Sequence, residues 1–241
     1  MTNYKNPPID IASCEIVFRR NETSSWNSVF IGKIFDDLQS IYPKSEDVKK
    51  ITANFDVDTK NFSVGDSKAN RLYNDDNKCS VFIEPKRIEY LNENYPGWDI
   101  VKSNIEKVLS TYMTITKPEA IESINLRYVN KIFVPVINNT LNENEYFNIY
   151  PEYSTVESKC MRYDTRLLFG YENEEFLNLV IVALNSPEKN EVLFIFDLCY
   201  TMSNLDSLDF DNIKISIDRA HTKIEEVFEK VITDKTRELF R

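Results

Sequence analysis

The 241-residue chain has one histidine, His221, which excludes any site needing two, such as a His-Glu-x-x-His zinc motif. Glycine is scarce. Its four copies, Gly32, Gly65, Gly97 and Gly170, are scattered, whereas Walker-type and Rossmann-type phosphate loops need clustered glycines for close backbone approach. The four cysteines, Cys14, Cys79, Cys160 and Cys199, form no CxxC pair and no even framework. They read as reduced, mostly buried thiols rather than as disulfides or metal ligands. No apolar run approaches the roughly 18 residues that a membrane helix needs. The start of the chain, residues 1–8, is polar and proline-bearing and lacks the apolar stretch of a signal peptide. These absences lead us to expect a cytoplasmic protein with no metal and no cofactor.

Positive charge is also in short supply. Lys and Arg number 29 against 39 Asp and Glu, a net charge of -10. Non-specific binding to nucleic acid needs a basic surface, so the balance argues against it. Arg71, Lys78, Lys86 and Arg87 are the residues that would have to gather to make a local exception. Asp56-x-Asp58 and Asp66 lack the convergent setting of a two-metal nuclease.

With 42% hydrophobic residues the chain can bury a sizeable core. Asn6-Pro7-Pro8-Ile9 holds the backbone extended ahead of a short strand at Cys14–Arg20. Helical spacing follows over Ser28–Tyr42 and again from Asp99, where Ile100, Val101, Ile105, Val108, Leu109 and Tyr112 share a side. Ile51–Val57, Cys79–Ile83 and Arg87–Leu91 read as strands. The clearest strand is Ile124–Val134, which alternates along its length. Three more follow at Met161–Tyr171, Glu175–Leu184 and Glu191–Met202, and a long helix spans Ile217–Phe240.

Strands in clusters, each cluster closed by a helix, indicate an α+β fold. It would be mainly antiparallel sheet with two or three helices packed on one face, and it has the outline of two similar halves. We divide the chain into residues 1–135, a crossover at 136–160 and a second half at 161–241. The crossover is rich in Asn, Glu, Pro and Tyr and is longer than ordinary loops.

Few residues offer chemistry. His221 opens the last helix, either as a packing residue with one satisfied hydrogen bond or as a base or ligand-binding group. Asp197 interrupts the run Val192–Tyr200, which is apolar on both faces, so its carboxylate needs a partner. Arg127, in the other strongly apolar strand, is the natural candidate. A pocket lined by Arg127, Tyr128, Asp197 and His221 would suit an anionic ligand. Tyr95, Trp98, Tyr146 and Tyr150 fall in or near loops and strand ends, where tyrosine and tryptophan serve as stiff contact residues.

Several segments together resemble a sporadically distributed bacterial family of about this length. They are Asn6-Pro7-Pro8-Ile9 with Cys14-Glu15-Ile16, Tyr95-Pro96-Gly97-Trp98, Leu126-Arg127-Tyr128-Val129-Asn130-Lys131-Ile132, Tyr146-Phe147-Asn148-Ile149-Tyr150-Pro151-Glu152 and Phe228-Glu229-x-x-Ile232-Thr233-x-Lys235. One departure is the acid after Pro-Pro-Ile: here it is Asp10, followed by Ile11, displaced by one place. The resemblance implies no established reaction. It implies a defence-associated or toxin–antitoxin-like setting, and it raises Arg127, Asn130, Trp98 and His221.

Without a catalytic constellation, the leading expectation is a non-enzymatic regulatory protein that binds a protein partner. The alternative is a sensor for a small anionic ligand such as a nucleotide, and a hydrolase or nuclease ranks third. An edge strand that self-pairs would give a homodimer, but nothing in the sequence selects one.

Overall fold

Period-two alternation and β-branched residues make the long strands, and the apolar partners of each strand decide the register. The computed structural model describes residues 4–20, 26–56, 61–76, 78–137, 141–150, 162–186, 190–203, 205 and 208–241. For 50–56, 61–67, 162, 185 and 186 the description is of backbone alone. The elements run β1 (Ile9–Arg19), α1 (Ser28–Leu38), β2 (Lys44–Asp56), β3 (Asn61–Asn74), β4 (Cys79–Glu84), β5 (Arg87–Asn92) and α2 (Trp98–Thr116). They continue with β6 (Ala120–Pro135), α3 (Glu143–Tyr146), β7 (Arg162–Gly170), β8 (Phe176–Ser186), β9 (Glu191–Ser203), α4 (Phe210–Val231) and α5 (Asp234–Glu238).

The nine strands form one antiparallel sheet in the order β2-β3-β4-β5-β1-β6-β9-β8-β7. The α+β class and the mainly antiparallel sheet follow the expectation from sequence. The sequence division at residue 135 leaves β6 in the first half, so those halves meet where β6 pairs with β9; the sheet itself divides more evenly at the pairing of β1 with β6, into a first half up to α2 and a second half from β6 onward. On one side the order outward from the join is β1-β5-β4-β3, and on the other it is β6-β9-β8-β7. A helix follows the first strand of each half, and a longer helix follows the last.

The helices lie on a single face. Cys14, Ile16, Ile88, Tyr90, Leu126, Tyr128, Leu198 and Tyr200 point into it and are buried. Their neighbours in sequence point to the other face, which no described helix covers. In β9 every second residue is buried and the rest are half-buried. Helix α4 presents Ile213, Ile217, Ala220, Ile224, Phe228 and Val231 to the sheet, and α2 presents Val101, Ile105, Val108, Leu109 and Tyr112.

The structure adds β3, starts β2 at Lys44 rather than Ile51 and starts the last long helix at Phe210 rather than Ile217. The C-terminal helix is two. Ile232 leaves helical geometry and makes an isolated bridge with Phe147. The Thr233 side chain then accepts from the Thr236 backbone N–H and starts α5. Apolar spacing continues across this break, so periodicity alone runs the two together. Within the crossover, the described residues 141–150 are also more regular than their composition suggests. Residues 141–150 contain α3, and Phe147 is buried against Phe194 and Phe196, with ring centroids 4.7 and 4.9 Å away. Residues 138–140 and 151–161 lie outside the described residues, Cys160 among them.

Phe147 is thus the clasp that holds the crossover to the second half of the sheet. Phe147→Ala is expected to lower unfolding free energy by about 3–5 kcal/mol, measured by urea denaturation, without loss of sheet signal in circular dichroism.

Candidate functional site

Four of the residues singled out from sequence meet beneath the helices. The Tyr128 hydroxyl and His221 Nδ1 are 2.9 Å apart. The Trp98 indole stacks on the imidazole at 4.0 Å and 9°. Tyr95 packs edge-on to Tyr128 at 5.8 Å. Each position has a local cause. Tyr128 is on the buried face of β6, Trp98 is the first residue of α2, and Tyr95 precedes the Pro96-Gly97 turn, where Gly97 has φ 105°. His221 is a helix residue with only 7% exposure. The Trp98 indole N–H donates to Asp218 at 3.3 Å, and Lys102 donates to the same carboxylate at 2.6 Å. Glu225 faces His221 Nε2 at 3.4 Å.

The electrostatics of this cluster favour neutral groups. Burial holds the His221 pKa down, to about 4, with Lys102 adding to the effect and Asp218 opposing it. Burial also pushes the Tyr128 phenol well above its ordinary range and Tyr95 to about 12. The imidazole is therefore neutral, stacked and enclosed. Among the described residues its polar partners are Tyr128 and Glu225, neither of them a serine or cysteine. The geometry pins β6, α2 and α4 together.

Arg127 and Asp197 make the contact expected of them. Arg127 Nε and Nη2 donate to the two carboxylate oxygens, both at 2.7 Å, in a bidentate pair. The pair does not share a pocket with Tyr128 and His221. Strand alternation sends residues 127 and 128 to opposite faces, and Arg127 and Asp197 lie on the helix-free one. The single pocket combining all four residues is therefore not formed. The run around Asp197 is apolar on both faces, but only one face is buried, so its carboxylate sits in a half-open setting.

Asn130 is fully buried on β6. It donates to the Phe196 carbonyl at 3.2 Å, while its Oδ1 has no hydrogen-bond partner among the described residues. Tyr146 is also buried, its carbonyl accepting from the Thr236 hydroxyl and the Thr233 N–H, so its ring is unavailable as a contact residue. Tyr95 and Trp98 are likewise spent on packing, which leaves Tyr150 as the exposed member of that group.

The four basic residues considered for a patch do not gather. Arg71 pairs with Glu46 and Arg87 with Glu15 and Glu84, while Lys78 and Lys86 stand at opposite ends of β4. Burial raises the thiols of Cys14, Cys79 and Cys199, as expected of inert buried cysteines. Asp58 and the side chains of Asp56 and Asp66 lie outside the described residues. Among the described residues no three His, Cys, Asp or Glu side chains converge as a metal site requires. No described helix is long and apolar enough to cross a membrane.

One cleft was not anticipated. It has a volume of about 580 Å³ and lies between the β7–β8 turn and α4, lined by Tyr171, Glu172, Asn173, Glu175, Tyr200, Arg219 and Lys223. Glu175 is nearly buried. It accepts from the Tyr200 hydroxyl at 2.5 Å and from Arg219. Burial and the adjoining carboxylate push the Tyr200 phenol up. The turn itself holds Asn173 and Glu174 at φ 60° and 57°, conformations that side chains of this kind tolerate better than β-branched ones. The only trace in sequence is the i, i+4 spacing of Arg219 and Lys223, which by itself is common on solvated helix faces.

The imidazole gives a pH signature. The unfolded chain takes up a proton at His221 below about pH 6.5, whereas the fold resists until about 4. The unfolded state therefore binds more protons in this window, and stability falls as pH falls through it. In urea titrations from pH 7 to 4, His221→Gln should show a shallower decline than the wild type. Parallel curves would place the imidazole in a solvated environment.

Comparison with known proteins adds little to this geometry. No family model matches the chain, and no curated protein does. One solved structure, the S. pombe RNA triphosphatase Pct1 in complex with the Spt5 CTD, aligns over 98% of this chain and 87% of that one. It does so at 8% identity and a TM-score of 0.14, a level that carries no argument about fold or activity.

Proposed function

We propose that the chain is a non-enzymatic binding protein whose contact surface for a protein partner is the helix-free face of the sheet. The observation that carries this reading is the composition of that face. Val180, Val182, Leu193 and Ile195 form a half-exposed apolar strip across β8 and β9. Phe133 and Leu168 extend it at 48% and 70% exposure. Around it stand the pairs Arg127–Asp197, Lys131–Asp10 and Arg87–Glu15. An apolar centre within a polar rim is the usual anatomy of a protein interface.

Charge selects the kind of partner. Each cation named in these pairs is already held by a carboxylate, and the chain as a whole carries -10. A second copy would bring like charge to like, whereas a basic partner gains from the field of this protein. The family resemblance, with its defence-associated or toxin–antitoxin-like setting, fits a protein that masks a basic partner. The buried, stacked His221 fits a binding role better than a hydrolytic one.

The double variant Phe133→Glu, Leu168→Glu alters two exposed side chains and should fold normally. We expect it to lose a basic protein that co-purifies with the wild type from cells that make it. Retention of that partner by the folded variant would overturn the assignment. A wild-type dimer that the variant converts to monomer would give the face to a second copy instead.

A further inference from the structure

We infer that the cleft between the β7–β8 turn and α4 binds a small organic anion with a flat body, its acidic group held by Arg219 and Lys223. The argument rests on a comparison that the molecule itself supplies. Cys14 and Leu126 face each other across the β1–β6 join. One strand further out, Cys14 pairs with Tyr90 and Leu126 pairs with Tyr200. Next, Tyr90 pairs with Val81 and Tyr200 with Leu177. Two residues before these stand Cys79 and Glu175. Tyr90 and Tyr200 therefore occupy corresponding places in the two halves, and so do Cys79 and Glu175.

The corresponding places are filled differently. Tyr90 lies beside Cys79 and Asn104 of α2, both neutral. The neighbouring hollow has a volume of about 220 Å³ and is lined by Ile41, Cys79, Asn92, Asn94, Pro96, Ile100 and Asn104, with no charged side chain. In the second half, Tyr200 meets a nearly buried carboxylate and an arginine, and the cleft is larger. Burying the Glu175 carboxylate costs desolvation that a neutral side chain avoids. The first half shows that this position in the fold is satisfied without charge, so packing does not account for Glu175 and Arg219.

Arg219 and Lys223 line the cleft together with the carboxylates Glu172 and Glu175, and what remains for a ligand is the set of guanidinium donors that Glu175 does not take. A guanidinium has five N–H donors. Arg219 uses Nη2 toward Glu175 and the Met202 sulfur, and the residue is nearly half exposed. Glu175 thereby orients the arginine and leaves its other edge for a carboxylate or phosphate. Lys223 lies one helical turn on, 3.0 Å from Glu226, with its ammonium 5.9 Å from the centre of the Tyr171 ring. Tyr171 lines the cleft and offers an apolar ring face to a flat body. The volume is within the range of small-ligand sites.

Titration calorimetry of the whole chain with adenosine 5′-monophosphate and with benzoate tests this. Binding of the first alone identifies phosphate as the acidic group, and binding of the second alone identifies carboxylate. Lys223→Met, a change at a partly exposed helix position, should weaken the bound probe by about tenfold or more. Glu175→Cys with Arg219→Asn copies the first half. This double variant should fold, melt no lower than the wild type without probe, and fail to bind. The inference is overturned if neither probe binds at millimolar concentration, or if Lys223→Met binds as the wild type does. It is also overturned if the double variant loses its fold, since the ion pair would then be structural.

Discussion

The antiparallel pairing of β1 with β6 is the constraint on which the rest of the molecule depends. Without it there would be two smaller sheets, each with an unpaired inner edge. With it the hydrogen-bonded ladder runs unbroken from β2 to β7. The pairing is regular through its middle and shifts register near its two ends, between Ile9 and Ile11 and between Val17 and Phe18. Because Cys14 and Leu126 are opposed and both point under the helices, the two halves present one shared apolar layer. Helices α2 and α4 settle on that layer side by side, and Trp98 and His221 stack where they meet.

A sheet covered on one side only must distribute its charge with care. The covered side holds neutral polar groups: Tyr128 with His221, Tyr112 with the carbonyls of Glu84 and Pro85, and Asn130 with the Phe196 carbonyl. The uncovered side holds the strand ion pairs Arg127–Asp197, Lys131–Asp10 and Arg87–Glu15, where water lowers the cost of charge. Lys102 and Asp218, between α2 and α4, depart from this division, and so do Glu175 and Arg219. The latter two place an ion pair at the rim of the covered side, which is why that rim differs from its counterpart in the first half.

Much of this was legible in the residues. Alternation along Ile124–Val134 and the apolar runs of β8 and β9 located the central strands, and the Arg127–Asp197 pair followed from an acid that needed a partner. What failed has identifiable causes. Residues 127 and 128 are adjacent in sequence but belong to opposite faces, so one pocket could not take both, with His221 on one side and Asp197 on the other. Tyr146 reads as a loop contact because nothing local reveals that α5 and the Phe147–Ile232 bridge cover it. The long C-terminal stripe hid a break that Thr233 makes through its own side chain. The cleft was invisible because Tyr200, Glu175 and Arg219 come from β9, the β7–β8 turn and α4, brought together only by strand pairing and by the packing of α4 on the sheet.

The central join also shapes how the chain reaches this state. Residues paired across β1 and β6 are more than a hundred positions apart, so their contact requires closing a very large loop. Folding that depends on such distant pairings is slow relative to helix formation and hairpin closure. During synthesis β1 can find β5 early, while its other edge waits for β6 to emerge. For that interval the first half carries an exposed inner edge, and its safety from wrong pairing depends on how quickly the second half arrives.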